Sequence, residues 1–201
     1  MSYPVAFFEP KPKEPGVREM TKKVIVVGDS GVGKCTCFKH AFVMYEPRKT
    51  LKDMGVVVGK ETLRISTDTI PKLDMTLSVW DITGKLEPGT GAASLRKGYY
   101  GGAAGALVVV AADDAAMAKT AEKWVKEVRE GTGNSSIPIV IMITKTNLVS
   151  EAELGERVGK MRESELLRGV PSYFTETSGG ARVIDEPVKA LAEAMSKPSN
   201  I

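Results

Sequence analysis

The feature that most constrains the fold is a short aliphatic run that ends at a glycine and is followed at once by a helical pattern. Lys23 to Val27 favours a β-strand, and Gly28 begins the glycine-rich segment GDSGVGKC. Beyond this segment, apolar residues recur at the spacing of one helix face, at Phe38, Ala41, Phe42 and Tyr45. Strand, glycine turn and helix in this order predict a βα unit whose turn lies at the carboxyl end of the strand.

Short aliphatic runs and helical periodicity alternate through the rest of the chain. Further strands are predicted at 56–65, 74–80, 104–112, 137–143 and 172–176. Helices are predicted over 117–128, over 150–169 and from 185 onward, with a less regular one near 93–100. The chain is therefore expected to be an α/β protein with a mostly parallel six-stranded sheet, one antiparallel edge strand and helices on both faces.

The composition describes one globular domain and excludes several classes of protein. The 201 residues carry a net charge of +3 without a dense basic stripe, which argues against nucleic acid as a partner. The two cysteines, Cys35 and Cys37, lie two positions apart, which argues against a secreted disulfide framework and favours the cytoplasm. The longest apolar runs are shorter than the roughly 20 residues that a transmembrane helix needs.

The ends of the chain differ from its middle. Four prolines among scattered charges mark residues 1–21 as an arm outside the core, expected to be flexible, although Phe7 and Phe8 offer an apolar cluster for docking. Residues 22–197 form the predicted domain, and 198–201 form a short tail. Ser2 stands where myristoylation needs glycine, and no cysteine lies near the last residue, so no lipidation motif is predicted. Membrane association would then come through partner proteins.

The segment from Gly28 to Lys34 matches G-x-x-x-x-G-K, the pattern of a loop that cradles phosphate with successive backbone N–H groups at a helix N-terminus. Its position between a strand and a helix is the context that this chemistry requires, and the alternative is a plain βα turn. The sequence therefore predicts the P-loop NTPase fold. The candidate phosphate-binding residues are Ser30, Gly31, Val32, Gly33, Lys34, Cys35 and Thr36.

Cys35 follows the lysine, at the position where a Ser or Thr hydroxyl would ligate Mg²⁺. A thiol is a poor ligand for a hard cation, so weakened metal binding is expected. The neighbouring Thr36 points in another direction round the helix. Two alternatives remain: Cys35 and Cys37 are small apolar side chains, or Cys35 is a redox-sensitive thiol activated by the helix N-terminus.

Five loops together resemble those of the Ras-like small GTPases, closest to the Rab branch, across residues 22–197. They are GDSGVGK at Gly28 to Lys34, WDITG at Trp80 to Gly84, YYGGA at Tyr99 to Ala103, TKTNL at Thr144 to Leu148 and ETSG at Glu176 to Gly179. Their order and spacing are far more specific than any single motif.

The resemblance implies GTP and GDP as ligands, Mg²⁺ as cofactor, and effector, exchange-factor or activating proteins as partners. It implies that Asp81 holds the metal through water and that the Gly84 N–H senses the γ-phosphate. Guanine would be read by two segments, whose residues are Thr144, Lys145, Asn147, Leu148, Ser178, Gly179 and Gly180.

Several departures from the family pattern fall on its chemistry. Lys85 occupies the place of the family's water-orienting Gln, and because an ammonium accepts no hydrogen bond, slow hydrolysis is expected. Asp53 aligns with the switch threonine that ligates the metal; its carboxylate could do the same but would repel the γ-phosphate. Asn147 replaces an aspartate that accepts from two guanine donors, so xanthine fits it better, unless Asn147 merely turns the chain.

Two functions follow from these residues. The first is a guanine-nucleotide switch with slow intrinsic GTP hydrolysis that regulates effector or trafficking partners. The second is a degenerate member of the family that keeps the fold as a protein-binding scaffold, with weak, altered or absent nucleotide binding. A nucleotide kinase also uses a P-loop, but the order of the WDITG and TKTNL segments does not suit one.

Overall fold

A computed structural model describes residues 16–41, 43–44, 56–66, 72–82, 98–175 and 185–197. The strands are β1 (Arg18–Val27), β2 (Val43–Met44), β3 (Val56–Ile65), β4 (Leu73–Ile82), β5 (Ala103–Ala111), β6 (Ile139–Thr144) and β7 (Ser172–Phe174). The helices are α1 (Lys34–Ala41), α2 (Met117–Thr132), α3 (Glu151–Glu163) and α4 (Asp185–Ser196), with a 3-10 turn at Thr146–Leu148. No helix in these ranges is long and apolar enough to cross a membrane.

The strands form one sheet in the order β2-β3-β4-β1-β5-β6-β7. β4, β1, β5, β6 and β7 run parallel, and β3 runs antiparallel to both of its neighbours. β1 lies between β4 and β5. The chain after β1 leads to β2 at one edge of the sheet, and the chain after β4 crosses to β5 on the other side of β1. A crevice therefore opens beyond the carboxyl end of β1, where ligands bind in open parallel sheets.

Both faces of the central strands are buried, and a different pair of helices covers each face. In β1, Val24 and Val26 belong to the core layer that includes α1 and α4, whereas Ile25 and Val27 belong to the layer under α2 and α3. This alternation follows from the period of two along a strand. Continuous aliphatic runs are required for strands covered on both sides, as β5 and β6 are.

The predicted α/β class, the mostly parallel sheet and the helices on both faces are confirmed. The strands predicted at 56–65 and 74–80 are present as β3 and β4, which pair antiparallel over ten residue positions from Val56 with Ile82 to Ile65 with Leu73. The two-residue strand β2 adds a seventh strand beside the antiparallel one. Of the predicted helix near 93–100, only residues 98–100 are described, and they are helical.

Two sequence-based boundaries differ from the structure. β1 begins at Arg18, so residues 18–21, predicted to be part of the arm, pair with β4 from Leu73 onward. Their side chains are largely exposed, so the sequence has no alternation of apolar residues there that would predict a strand. α3 ends at Glu163, before the predicted stop at Gly169, and the backbone of its C-cap Ser164 is already extended.

α3 begins with a capping box, which gives a pH-dependent prediction. Ser150 Oγ accepts from the Glu153 N–H, and a Glu153 carboxylate oxygen accepts from the Ser150 N–H at 3.0 Å. The Ser150 N–H and hydroxyl lower the pKa of Glu153. A lowered folded-state pKa contributes stability above the unfolded-state value, and that contribution is lost as the pH falls through the folded-state pKa.

Ser150→Ala is expected to destabilise the protein by about 1 kcal/mol at neutral pH, because the helix loses its N-cap. The difference from the wild type is expected to shrink as the pH falls through the folded-state pKa of Glu153, because the protonated side chain no longer contributes its part of the box. Urea denaturation at neutral pH and at an acidic pH below that transition measures this. Ser164→Ala at the other end of α3 is the control, since Ser164 Oγ has no hydrogen-bond partner among the described residues. An unchanged Ser150→Ala difference across the two pH values would contradict the prediction.

Candidate functional site

The carboxyl ends of four parallel strands meet at one edge of the sheet and bring polar segments together. β1 leads into the loop that starts at Gly28, and β4 carries Asp81 one residue before its end. β5 is followed by Asp113, and β6 is followed by Lys145. Three of the segments quoted from the sequence, those with Gly28 to Lys34, Asp81 and Thr144 to Leu148, therefore lie together at the crevice beyond β1, whereas Tyr99 to Ala103 leads into the amino end of β5, at the other edge of the sheet.

The backbone of the loop has a shape that side chains would prevent. Gly28 has φ +152°, and a Cβ built there would lie 2.3 Å from the carbonyl oxygen of Val109 in β5. Gly33 has φ +96°, a conformation that L-residues with side chains rarely adopt. Its carbonyl accepts from the N–H groups of Thr36 and Cys37, which starts α1. The loop thus curls closely against β5 and presents a helix N-terminus to the crevice.

Lys34 is folded back over the loop. Its Nζ donates to the carbonyl oxygens of Gly28 at 2.7 Å and Asp29 at 2.6 Å, and its side chain is buried. Burial lowers the pKa of Lys34, and the nearby negative charge of Asp81 opposes that effect. An ammonium held by two carbonyls at the rim of a phosphate-type loop is a preplaced positive charge for an anion.

Thr144, at the end of β6, supports the loop from below. Its side chain is buried, and its hydroxyl lies 2.6 Å from the Val32 carbonyl and 3.1 Å from the Val110 carbonyl, to either of which it can donate. This contact links two segments that are 112 residues apart. The hydroxyl therefore supports the phosphate loop, and a contact from this residue to a base stays a prediction.

Asp29 anchors the other side of the loop to α2. One carboxylate oxygen accepts from Lys123 Nζ at 2.6 Å and from the Trp124 indole N–H at 3.0 Å. The Trp124 side chain is buried, whereas the ion pair with Lys123 is half-exposed and contributes modestly to stability. Asp29 is part of the glycine-rich motif, but its role was not predicted, because no sequence pattern relates it to residues more than 90 positions away.

Asp81 and Cys35 lie side by side at the start of α1. Cys35 Sγ is 3.6 Å from Asp81 Oδ2 and donates to it. Asp81 is 1% exposed, and its Oδ1 has no hydrogen-bond partner among the described residues. Burial raises the pKa of Asp81, while Lys34 and the Cys35 thiol lower it. A buried carboxylate oxygen without a partner is costly unless a ligand satisfies it.

This pair is where the predicted Mg²⁺ would be held, and only part of it fits that ion. The orphaned Asp81 oxygen suits a divalent cation, directly or through water. The Cys35 sulfur does not suit Mg²⁺, which binds oxygen ligands. Within the described ranges, no group of three or more His, Cys, Asp or Glu residues is placed to hold a metal ion.

The segment after β6 forms a turn at the same edge. Lys145 has φ +56°, and its Nζ lies 3.2 Å from an Asp113 carboxylate oxygen, which fixes the direction of its side chain. Asn147 lies in the 3-10 turn and is exposed, and Leu148 is 60% exposed. The base contacts of these residues stay predictions.

The remaining predicted site residues lie outside the described ranges. They are Asp53, Gly84, Lys85, Ser178, Gly179 and Gly180. Among the predicted phosphate-loop residues, Ser30 and Gly31 lie on the exposed rim, and Thr36 is exposed on the first turn of α1. The Cys37 thiol is buried, and burial raises its pKa to about 11, as expected of a small core side chain.

A comparison with protein families gives a match over a segment that includes several of these loops. A family model described as "Ras of Complex, Roc, domain of DAPkinase" matches residues 23–147, from the middle of β1 through the turn after β6. The match therefore covers the glycine loop, Asp81 and the TKTN part of the last described loop.

Curated relatives resemble the chain over a longer range at low identity. Ras-related protein Rab-11B of Dictyostelium discoideum is 30% identical over 138 residues, covering 69% of this chain and 58% of that protein. Rab-11A of the same organism is 25% identical over 179 residues, covering 89% and 79%. Ras-related protein RABA6b of Arabidopsis thaliana is 31% identical over 158 residues, covering 78% and 62%. The chain thus spans less than two thirds of the length of Rab-11B and of RABA6b.

Proposed function

The chain belongs to the Ras-like small GTPases, in their Rab-like branch, and we propose that it binds GDP and GTP at the crevice beyond β1 as a molecular switch. In this proposal the β- and γ-phosphates lie in the loop from Gly28 to Lys34. The base would lie against Lys145 and Asn147, and backbone N–H groups of Ser178 to Gly180 would donate to the guanine carbonyl.

The observation that carries the proposal is the loop itself. Lys34 holds a positive charge at a preformed concave backbone, which Thr144 supports from one side and Asp29 from the other. Preorganised N–H groups and a fixed ammonium stabilise phosphate without further rearrangement. A plain βα turn would need neither the buried lysine nor these two long-range contacts.

Hydrolysis in this proposal is slow. Lys85 stands where the family has a glutamine that orients the attacking water, and a lysine donates hydrogen bonds but accepts none. The chain would then remain in its GTP-bound state unless an activating protein supplies the missing group. Effector selection by the segments around Asp53 and Gly84, and recruitment to membranes through partners, belong to the same proposal.

Asn147 gives the sharpest test of base recognition. Asn147→Asp is expected to raise the affinity for GDP by at least about tenfold, because a carboxylate accepts from both guanine donors where the amide leaves one mismatched. The same change is expected to weaken binding of xanthosine diphosphate. Titration of fluorescently labelled GDP and xanthosine diphosphate against both proteins measures the exchange of preference.

Asn134→Asp is the matched control, since Asn134 lies beyond the end of α2 and its carboxamide oxygen accepts from the Ser136 N–H, away from the crevice. It is expected to leave both affinities unchanged. Equal affinities of the wild type and Asn147→Asp for both nucleotides would show that Asn147 only turns the chain, and would remove the base site from the proposal.

The Cys35 sulfur beside Asp81 favours a second function, that of a protein-binding scaffold. Cys35, Asp53, Lys85 and Asn147 depart from the family pattern at four positions of one chain, which suits a scaffold that keeps the fold and binds proteins without switching. Robust hydrolysis together with nucleotide-dependent partner binding would rule this alternative out.

A further inference from the structure

We propose that Cys35 and Asp81 form a site for a thiophilic divalent cation, of the class of Co²⁺, Zn²⁺ or Cd²⁺, in preference to Mg²⁺. The inference deepens the proposed function and rests on it, because the remaining ligands would be phosphate oxygens of the bound nucleotide. The site would give this chain a different cation requirement from one built with a hydroxyl.

The geometry supplies two donors of different kinds at one point. The sulfur of Cys35 and the Oδ2 of Asp81 are 3.6 Å apart. Cys35 is exposed, so a cation from solvent can reach it. Asp81 is 1% exposed and has one carboxylate oxygen with no hydrogen-bond partner within the described part of the chain. A cation between Cys35 Sγ and Asp81 Oδ2 would replace the contact from the thiol, and the second carboxylate oxygen, Oδ1, is free to accept from a water or to complete a bidentate carboxylate.

Ligand chemistry decides which cation this is. Thiolate ligands select soft or borderline metals, whereas Mg²⁺ requires oxygen ligands in near-octahedral geometry. One sulfur, one carboxylate oxygen and phosphate oxygens suit tetrahedral Zn²⁺, Co²⁺ or Cd²⁺. Two protein donors alone make a weak site, which is consistent with a cation that binds together with the nucleotide.

Binding of a divalent cation by Cys35 and Asp81 releases one proton and leaves the charges of the two ligands and the cation balanced. The Cys35 S–H bond breaks, its proton passes to solvent, and the sulfur keeps the electron pair that forms the bond to the metal. Asp81 stays ionised, so the two protein ligands carry two negative charges against the two positive charges of the cation. Lys34, beside both groups, retains its charge for the phosphates.

The test uses the full chain, freed of metal by chelation and loaded with fluorescently labelled GDP. Co²⁺ or Cd²⁺ is expected to slow release of the nucleotide about tenfold more than Mg²⁺ at equal concentration, because these cations accept a sulfur ligand and Mg²⁺ does not. Cys35→Ser restores an oxygen and is expected to reverse the order. Cys37→Ala is the matched control, because that thiol is 3% exposed and lies outside the site.

A spectroscopic readout separates the metal site from nucleotide handling. Co²⁺ bound to thiolate absorbs in the near ultraviolet, and this absorption is expected in the wild type and Cys37→Ala but not in Cys35→Ser. Release that is slowed equally or better by Mg²⁺ in the wild type, or absorption that survives Cys35→Ser, would overturn the inference.

The experiment also distinguishes failure of the inference from failure of the proposed function. Labelled GDP that binds with no dependence on any cation overturns the inference and leaves the proposed function standing. If no labelled GDP binds under any condition, the proposed function fails, and Co²⁺ is then titrated in the presence of pyrophosphate. Thiolate absorption that depends on Cys35 in that titration supports the metal site, and its absence overturns it.

Discussion

Lys34→Met is expected to lower the affinity for GDP at least about a hundredfold, which corresponds to about 3 kcal/mol. The ammonium is buried at the rim of the loop, where a charged hydrogen bond to phosphate is worth more than at the surface. Methionine keeps a stem of similar length, so the change removes the charge and its two hydrogen bonds while filling the same space. Titration with labelled GDP measures the loss, and thermal denaturation checks that the variant folds.

Lys123→Met is the control for this prediction, because Lys123 contacts Asp29 of the same loop but lies on its half-exposed outer side. An exposed ion pair contributes less than about 1 kcal/mol, so the affinity is expected to change by no more than about threefold. Equal losses in Lys34→Met and Lys123→Met would mean that the loop does not bind phosphate through Lys34.

Gly131→Ala is expected to destabilise the protein by about 2 to 3 kcal/mol, although alanine is the better helix former. Gly131 lies in α2, and a Cβ there would be 2.0 Å from Cδ2 of Tyr100. That ring is 1% exposed and its hydroxyl donates to Glu127 at 2.6 Å, so it has little freedom to move aside. Urea denaturation measures the free energy of unfolding.

Gly155→Ala is the matched control in α3, where a Cβ would meet nothing within 4 Å. The same substitution is expected to stabilise the protein there by about 0.5 to 1 kcal/mol, because alanine loses less backbone entropy than glycine in a helix. The two substitutions therefore have opposite expected signs. A neutral or stabilising effect of Gly131→Ala would show that Tyr100 does not pack against α2 as described.

Most of the fold could be predicted because many segments have a clear run or alternation of apolar residues. β5 and β6 are unbroken aliphatic runs, and β4 alternates Leu73, Met75, Leu77 and Val79 on a fully buried face. The start of β1 was missed because Arg18 to Lys22 lack such alternation. These residues are strand because β4 is ten residues long and offers them backbone partners, which is a tertiary effect that a local pattern does not contain.

The parts of the candidate site that lie in sequence motifs could be predicted. The contacts between residues far apart in the chain could not. The glycine loop and the segments with Asp81 and Lys145 were identified from order and spacing, and the structure brings these described segments to one edge. The link from Asp29 to α2 joins residues 94 and 95 positions apart. The partnerless oxygen of Asp81 follows from burial, which exists only once the sheet has formed.

Binding of a guanine nucleotide at the crevice beyond β1 can be tested on the protein as purified. The full chain is denatured, any bound nucleotide is released and identified by ion-exchange chromatography, and Lys34→Met is prepared in parallel. We expect guanine nucleotide with the wild type and little or none with Lys34→Met. A wild-type protein that carries no nucleotide and does not bind labelled GDP, GTP or xanthosine diphosphate on titration would contradict it.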